Sequence, residues 1–219
     1  MTNKIQGDYK SLKEFTENAS HEIQTPLAII KSKLELLIQQ ENFKEEQMQA
    51  IQSVYDAANR LSRLNQALIL LTKIENHQFE KREQIDLTEV VKKHILNFKE
   101  LIEAKEIRLN HTIEGDVKLK INPVLADVLI SNLLTNAIKH NVEKGEINLS
   151  LSKNELTVSN TGAELKINPL ELFDRFKKDS VSSESLGLGL SIVKKICDSE
   201  KFTISYECLN KLHSLKIKL

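Results

Sequence analysis

Three prolines and six glycines in 219 residues leave little room for low-complexity linkers. The two cysteines, Cys197 and Cys208, stand eleven residues apart with no CxxC and no neighbouring ligand histidine. That spacing offers no metal framework and reads as two reduced thiols. No apolar run approaches the ~18 residues of a membrane span, and the opening MTNKIQGDYK lacks the apolar stretch of a signal peptide. The chain is therefore expected to be soluble and cytoplasmic. Net charge is absent too: 31 basic side chains balance 31 acidic ones, which removes the electrostatic drive of non-specific nucleic-acid binding. No nucleic-acid partner is expected. What is present, 40% hydrophobic and 28% charged residues, excludes a disordered tail and suffices for one large domain or two small ones.

The first third is almost free of glycine, and its apolar residues recur at spacings of three and four. Leu12, Phe15, Ala19, Ile23, Leu27, Ile30, Leu34 and Leu37 form one stripe; Ile51, Val54, Ala58, Leu61, Leu64, Leu68, Leu71 and Ile74 form another. Both predict long amphipathic helices, joined by a turn over the polar stretch Gln40 to Glu46. One helical hairpin encloses too little apolar surface for a core, whereas two copies bury both stripes in a four-helix bundle, so a homodimer is expected. The steps from Ala19 to Ile23 to Leu27 interrupt the heptad, and Pro26 cannot donate to the carbonyl of Glu22, so the helix should bend beside His21.

After Asn76 the pattern changes. Asp86 or Thr88 is placed to cap a helix reaching about Ala104. Ile107 to Ile113 and Val117 to Ile121 read as strands joined through Glu114-Gly115-Asp116. Pro123 opens a helix to about His140, and Glu146 to Leu151 with Glu155 to Ser159 form a hairpin around Lys153-Asn154. A last helix, Leu188 to Ser199, precedes strands near Phe202 to Tyr206 and Leu212 to Lys218. Strands interleaved with helices predict an α+β sandwich with helices on one sheet face. The division expected is 1–79 for the helical hairpin and 80–219 for the sandwich.

Three segments carry chemistry. In Ser20-His21-Glu22-Ile23-Gln24-Thr25-Pro26-Leu27, the imidazole of His21 is a nucleophile near neutral pH, and the carboxylate of Glu22 can accept its other N–H. Thr25, four residues on, shares the helix face of His21. A histidine in a helix is, by itself, an ordinary surface residue. In Asn132-Leu133-Leu134-Thr135-Asn136-Ala137-Ile138-Lys139-His140, Asn132 and Asn136 project from one face with Lys139 on the neighbouring ridge, an oxygen-and-ammonium set suited to a magnesium triphosphate. In Gly187-Leu188-Gly189-Leu190-Ser191, small residues at a helix start let backbone N–H groups approach phosphate oxygens. Leu172-Phe173-Asp174-Arg175-Phe176 lies upstream, and core packing alone would account for Phe173 and Phe176.

These segments, in this order, resemble the sensor histidine kinases of two-component signalling over nearly the whole chain, from about Asp8 to Leu219. The S-H-E-x-x-T-P-L run is similar to the phosphoacceptor box, the asparagine cluster to the N box, Phe173 and Phe176 to the F box, and Gly187 and Gly189 to the second glycine box. The stretch Lys177 to Ser185 matches the lid, short, rich in serine and expected to move without nucleotide. The resemblance implies a dimerisation and histidine-phosphotransfer domain followed by a Bergerat-type ATP-binding domain. It implies His21 as phosphoacceptor with Glu22 beside it, and Thr25 in dephosphorylation of the regulator. Asn136 is implied as the Mg2+ ligand, His140 as a phosphate contact, and ATP with Mg2+ as cofactors. A response regulator receiver domain is implied as partner, with any membrane attachment through segments outside this chain. The adenine box departs from the family's D-x-G-x-G: here it reads Asn160-Thr161-Gly162-Ala163-Glu164, and Ser185 stands where a glycine is usual. A neutral amide forgoes about 1 kcal/mol relative to a charge-assisted bond. A freely turning amide accepts from adenine or donates to guanine equally well, so weaker ATP binding and reduced discrimination against GTP are expected. These departures keep a second reading open, a dimeric scaffold that binds a regulator without phosphorylating itself. A third, chiefly a phosphatase, rests on Thr25.

Overall fold

The computed structural model describes residues 23–39, 43–177 and 186–219, and the chain divides into two compact units, Met1–Asn76 and His77–Leu219. In the first unit, helix α1 covers residues 23–38 and α2 covers Glu45–Glu75. The start of α2 is closed by Gln47, whose side chain accepts from the Lys44 N–H at 3.0 Å, with Glu45 and Glu46 in the first turn where the helix dipole favours acid. Tyr55 Oη donates to Glu35 across the hairpin at 3.1 Å. Only part of each apolar stripe is covered: Leu27, Leu34, Ala58, Leu71 and Ile74 are buried, while Ile23, Ile30, Val54 and Leu61 stay exposed. His21, Glu22 and the bend expected beside them lie outside the described residues, as do Leu12, Phe15 and Ala19.

The second unit begins with strand β1 (Glu83–Asp86) and α3 (Leu87–Ala104). Asp86, not Thr88, caps α3, accepting from the Glu89 N–H at 3.4 Å. Thr88 is buried instead and ties the turn before β3 together, donating to the Glu114 carbonyl and accepting from the Val117 N–H. There follow β2 (Arg108–Ile113), β3 (Lys118–Ile121), α4 (Pro123–Lys139), β4 (Glu146–Leu151), β5 (Glu155–Thr161), a 3-10 turn (Pro169–Phe173), α5 (Gly189–Glu200), β6 (Thr203–Leu209) and β7 (Leu212–Lys218).

The strands on either side of residues 114–116 are not partners. β3 pairs antiparallel with β1, a strand that the polar sequence Glu83-Gln84 does not announce. β2 pairs in parallel with β4 in a five-stranded sheet of order β2-β4-β5-β7-β6. A parallel pair needs a long crossover, and β3 with α4 supplies it.

One face of this sheet carries Ile147, Leu149 and Leu151 of β4, Leu156 and Val158 of β5, and Leu215 and Ile217 of β7, all buried. Burial of such a side chain is worth about 1.5–3 kcal/mol. The α4 positions 125, 126, 129, 130, 133, 134, 137 and 138 are all buried, a repeat of adjacent pairs every four residues that makes α4 apolar over a broad arc. It therefore packs against α3, α5 and β5 together. The rigidity of α4 sets the position of the polar residues at its far end.

Candidate functional site

Helix α4 ends where the buried face of the sheet runs out. Its last turn carries Asn136, half-buried, and Lys139, and its C-cap is His140, whose N–H donates to the Asn136 carbonyl at 3.0 Å. One turn earlier, Asn132 Nδ2 donates to the Val128 carbonyl at 2.8 Å, which turns its Oδ1 outward from the helix. That oxygen lies 3.1 Å from the place a Cβ would occupy on Gly189. The asparagine cluster and the second glycine pair, 57 positions apart in sequence by these two residue numbers, are thus in contact. Gly189 is the first residue of α5, and the preceding Leu188 makes no side-chain cap to the N–H groups of the first turn. Those donors, with no acidic residue in that turn, form an anion-favouring end.

The carbonyl of His140, at this same end of α4, meets the loop after β5. A Cβ on Gly162 would lie 3.0 Å from the His140 carbonyl oxygen and 2.5 and 2.6 Å from Cδ2 and Nε2 of His213. Only glycine fits this close approach. Gly162 N–H donates to the Lys211 carbonyl at 2.9 Å, the last bond of the β5–β7 ladder. Asn160, two residues before, points to the same face as Leu156 and Val158 and is 4% exposed. Its Nδ2 donates to the Thr161 carbonyl at 2.7 Å. This corrects the expectation of a freely turning amide. With the NH2 end committed to a carbonyl, Oδ1 is the end able to accept, and a flip would set two oxygens against each other.

Phe173 closes the 3-10 turn and meets Tyr206 edge to face, ring centroids 6.4 Å apart. Phe176 is different. It is 55% exposed and not part of the core, with φ +66°, and its N–H donates to the Gly187 carbonyl at 2.8 Å. Gly187 itself has φ +68°, and a Cβ there would lie 2.9 Å from the Lys177 carbonyl oxygen. Phe176 and Lys177 are therefore held against Gly187; residues 178–185 between them, Ser185 included, lie outside the described residues. Thr25 is exposed on α1 in the other unit.

Several supporting residues escaped the sequence reading. His213 is 8% exposed, in register opposite Asn160, and bonded at both ring nitrogens, to Tyr206 Oη at 2.8 Å and the Ala163 carbonyl at 2.7 Å. Its signal was available: it is in period-two phase with Leu215 and Ile217, and a polar residue on a buried strand face has to find partners. Asn141 and Thr161 form a second knot. Thr161 Oγ1 donates to Asn141 Oδ1 at 2.6 Å and accepts from the Glu146 N–H at 2.8 Å, while Asn141 Nδ2 donates to the Glu146 carbonyl. It binds the loop after α4 to the end of β5. A cavity of about 500 Å3 opens near this region between Glu164, Leu165, Ile167, Pro169 and the β6–β7 turn at Asn210 and Lys211; of the adenine-box segment only Glu164 lines it.

Both cysteines are free. Burial pushes the Cys197 thiol up to about 12, as expected of an inert core residue. Among the described residues no three His, Cys, Asp or Glu side chains gather as a metal cluster, and no helix is long and apolar enough to cross a membrane.

Comparison with known proteins adds the following. Residues 11–77 match the family model of the His Kinase A (phospho-acceptor) domain, and residues 122–213 match that of the Histidine kinase-, DNA gyrase B-, and HSP90-like ATPase. The heme sensor protein HssS of Staphylococcus saprophyticus is 32% identical over 201 residues, which cover 88% of this chain and 43% of that protein. The chain thus spans less than half the length of this relative. Among solved structures, the Acinetobacter baumannii histidine kinase AdeS superposes with a TM-score of 0.66 at 24% identity, covering 91% of this chain and 96% of that one. Full-length ShkA in complex with AMPPNP superposes with a TM-score of 0.71 at 17% identity, covering 94% and 45%. Both likenesses are of fold.

Proposed function

The chain belongs to the sensor histidine kinases, as the catalytic core in which a phosphoacceptor helical domain precedes an ATPase-type domain, and from this premise we propose that it transfers the γ-phosphoryl group of ATP to its own His21 and then to an aspartate of a response regulator. The observation that carries the reading is the meeting of three segments at one end of the sheet: the α4 terminus with Asn132 and His140, the Gly162 loop, and Gly189 at the start of α5.

Each part has a physical role. Asn160 offers Oδ1 to the adenine amino group, oriented by its bond to Thr161. Gly162, whose side-chain position is filled by the His213 ring and the His140 carbonyl, lets the loop backbone lie close beside the base site. The N–H groups at the start of α5 face polyphosphate oxygens, and Lys139 and His140 add donors from the α4 terminus. Asn136 supplies a neutral oxygen to Mg2+, an ion that takes few protein ligands and completes its shell with water and phosphate; when bound it would neutralise charge developing on the transferred group. On the helical hairpin, a ring nitrogen of His21 forms the new N–P bond as the bond from phosphorus to the departing ADP oxygen breaks, and Glu22 holds the proton on the other nitrogen. The exposed stripe residues of the hairpin support assembly as a homodimer.

Incubation with labelled ATP and Mg2+ tests the kinase reading. Acid-labile, base-stable label is expected on the chain and none on His21→Gln, with ATP binding retained in the variant. Absence of label on the parent would favour the non-phosphorylating scaffold. Thr25, exposed on α1 and four positions after His21 in sequence, supports a phosphatase role on the regulator; Thr25→Ala should slow loss of phosphate from the regulator by roughly a hundredfold while self-phosphorylation changes little, the loss expected on removing one positioned catalytic group. Equal losses would mark a local structural role instead.

A further inference from the structure

We propose that His213 is a positioning residue for nucleotide binding: its imidazole is the template on which the loop after β5 is shaped, so that Asn160 and Gly162 present the base site already formed. The inference rests on the reading of Asn160 and Gly162 as nucleotide contacts.

The geometry assigns the ring its proton. The Ala163 carbonyl can only accept, so the 2.7 Å contact requires Nε2–H. In the uncharged ring Nδ1 is then the acceptor, and the Tyr206 hydroxyl donates to it at 2.8 Å. Both nitrogens of the buried ring thus have partners, with Cys208 Sγ a further neighbour of Nε2 at 3.8 Å. Tyr206 is braced in turn by its near-perpendicular contact with the Phe173 ring. A chain of contacts therefore runs from the 3-10 turn before the lid, through Tyr206 and His213, to the backbone of the adenine-box loop.

Two features make this a shaping contact and not ordinary strand packing. His213 and Asn160 are direct cross-strand partners, with side chains on the same face, so the ring stands beside the residue that reads the base. Its Cδ2 and Nε2 occupy the space a Cβ on Gly162 would need, so the loop backbone lies directly on the ring. The β5–β7 ladder ends at Gly162 N–H; beyond it, the Nε2–H bond to Ala163 continues to hold the chain. Without it, that carbonyl loses its partner and the loop gains a void beneath it, and the closed shape must be restored from nucleotide binding energy.

The test compares His213→Leu, which removes both bonds, with His213→Gln, whose amide NH2 reaches the Nε2 position and keeps the donor to Ala163. Binding of ATP with Mg2+ and self-phosphorylation are measured on the whole chain. His213→Leu should raise the ATP dissociation constant and KM about tenfold, the worth of one buried hydrogen bond, with kcat at saturating ATP within twofold of the parent. His213→Gln should recover most of the affinity. Nitrogen-15 spectra of the parent should report the Nε2–H tautomer. The proposal is overturned if His213→Leu binds ATP like the parent, if His213→Gln is as impaired as His213→Leu, if kcat falls and KM does not, or if the ring is the Nδ1–H tautomer. Should His213→Leu fail to fold, His213→Gln and the spectra still decide. A parent that binds no ATP overturns the nucleotide reading itself, a result distinct from all of these.

Discussion

Asn160 shows how much one hydrogen bond alters a residue-scale argument. As a residue type it is a rotatable amide that reads adenine and guanine alike. In place, its Nδ2 is held by the Thr161 carbonyl at 2.7 Å and the side chain is almost fully buried, so it presents an acceptor as the family's carboxylate does, without the charge. Discrimination in favour of ATP over GTP is therefore expected to survive. Asn160→Asp, which restores the family's residue type, should not be a simple gain: it places a carboxylate oxygen where an NH2 now donates to a carbonyl. A loss of about 1–3 kcal/mol in stability is expected, measured by denaturant unfolding followed by far-ultraviolet circular dichroism. A variant as stable as the parent, with sharper rejection of GTP in competition binding, would show that the amide turns freely after all.

At the scale of elements, the proposed nucleotide site is a meeting of ends: the C-terminus of α4, the exit from β5 and the N-terminus of α5. Two glycines at these junctions differ in what they permit, and substitution to alanine separates them. At Gly162 the obstacle is contact, the His213 ring and the His140 carbonyl, so Gly162→Ala should cost about 1–3 kcal/mol, as overpacking does, and weaken ATP binding by displacing the loop. At Gly187 the obstacle is conformation as well, because φ is +68°; a left-handed L-residue costs roughly 1–2 kcal/mol, with a further close contact at the Lys177 carbonyl. Gly187→Ala should therefore unpin the lid from Phe176 while the β5 exit stays intact. Hydrogen exchange resolves the two: faster exchange at the Phe176 amide in Gly187→Ala, and at the Gly162 amide in Gly162→Ala. Identical exchange patterns would mean that the two junctions do not act separately.

For the whole molecule, the decisive feature is that one chain leaves the stripes of its helical hairpin partly uncovered. Ile30 is 44% exposed although it lies on the same stripe as Leu27 and Leu34, which are buried. A second copy is the partner that the apolar pattern fits best. The parent should sediment at twice its chain mass, and Ile30→Glu, by setting a charge in the seam, should shift it to the monomer because burying an unpaired carboxylate is strongly unfavourable. A dimer undisturbed by Ile30→Glu would place the seam elsewhere.

Much of this was legible from residue order alone, because it depends on near neighbours. Helices α2, α3, α4 and α5 follow from periodicity and caps, such as Asp86 and Pro123; the β4–β5 hairpin follows from alternation around Lys153-Asn154; and the family follows from short motifs whose residues are four apart or fewer. What pairs with what did not follow. That β2 lies parallel to β4 and not beside β3, that polar Glu83-Gln84 forms a strand, and that His213 fills the space under Gly162 are all set by contacts between residues far apart in the chain. Hydrophobic pattern specifies which face of a strand is buried but not its neighbour, since any strand edge offers the same N–H and C=O groups. Only closure of the core around α4 chose among them. The same closure turned Asn160 from a residue with two equivalent hydrogen-bonding ends into one whose NH2 end is held and whose Oδ1 alone is left to accept, because orientation at a buried site belongs to the surrounding carbonyls and rings.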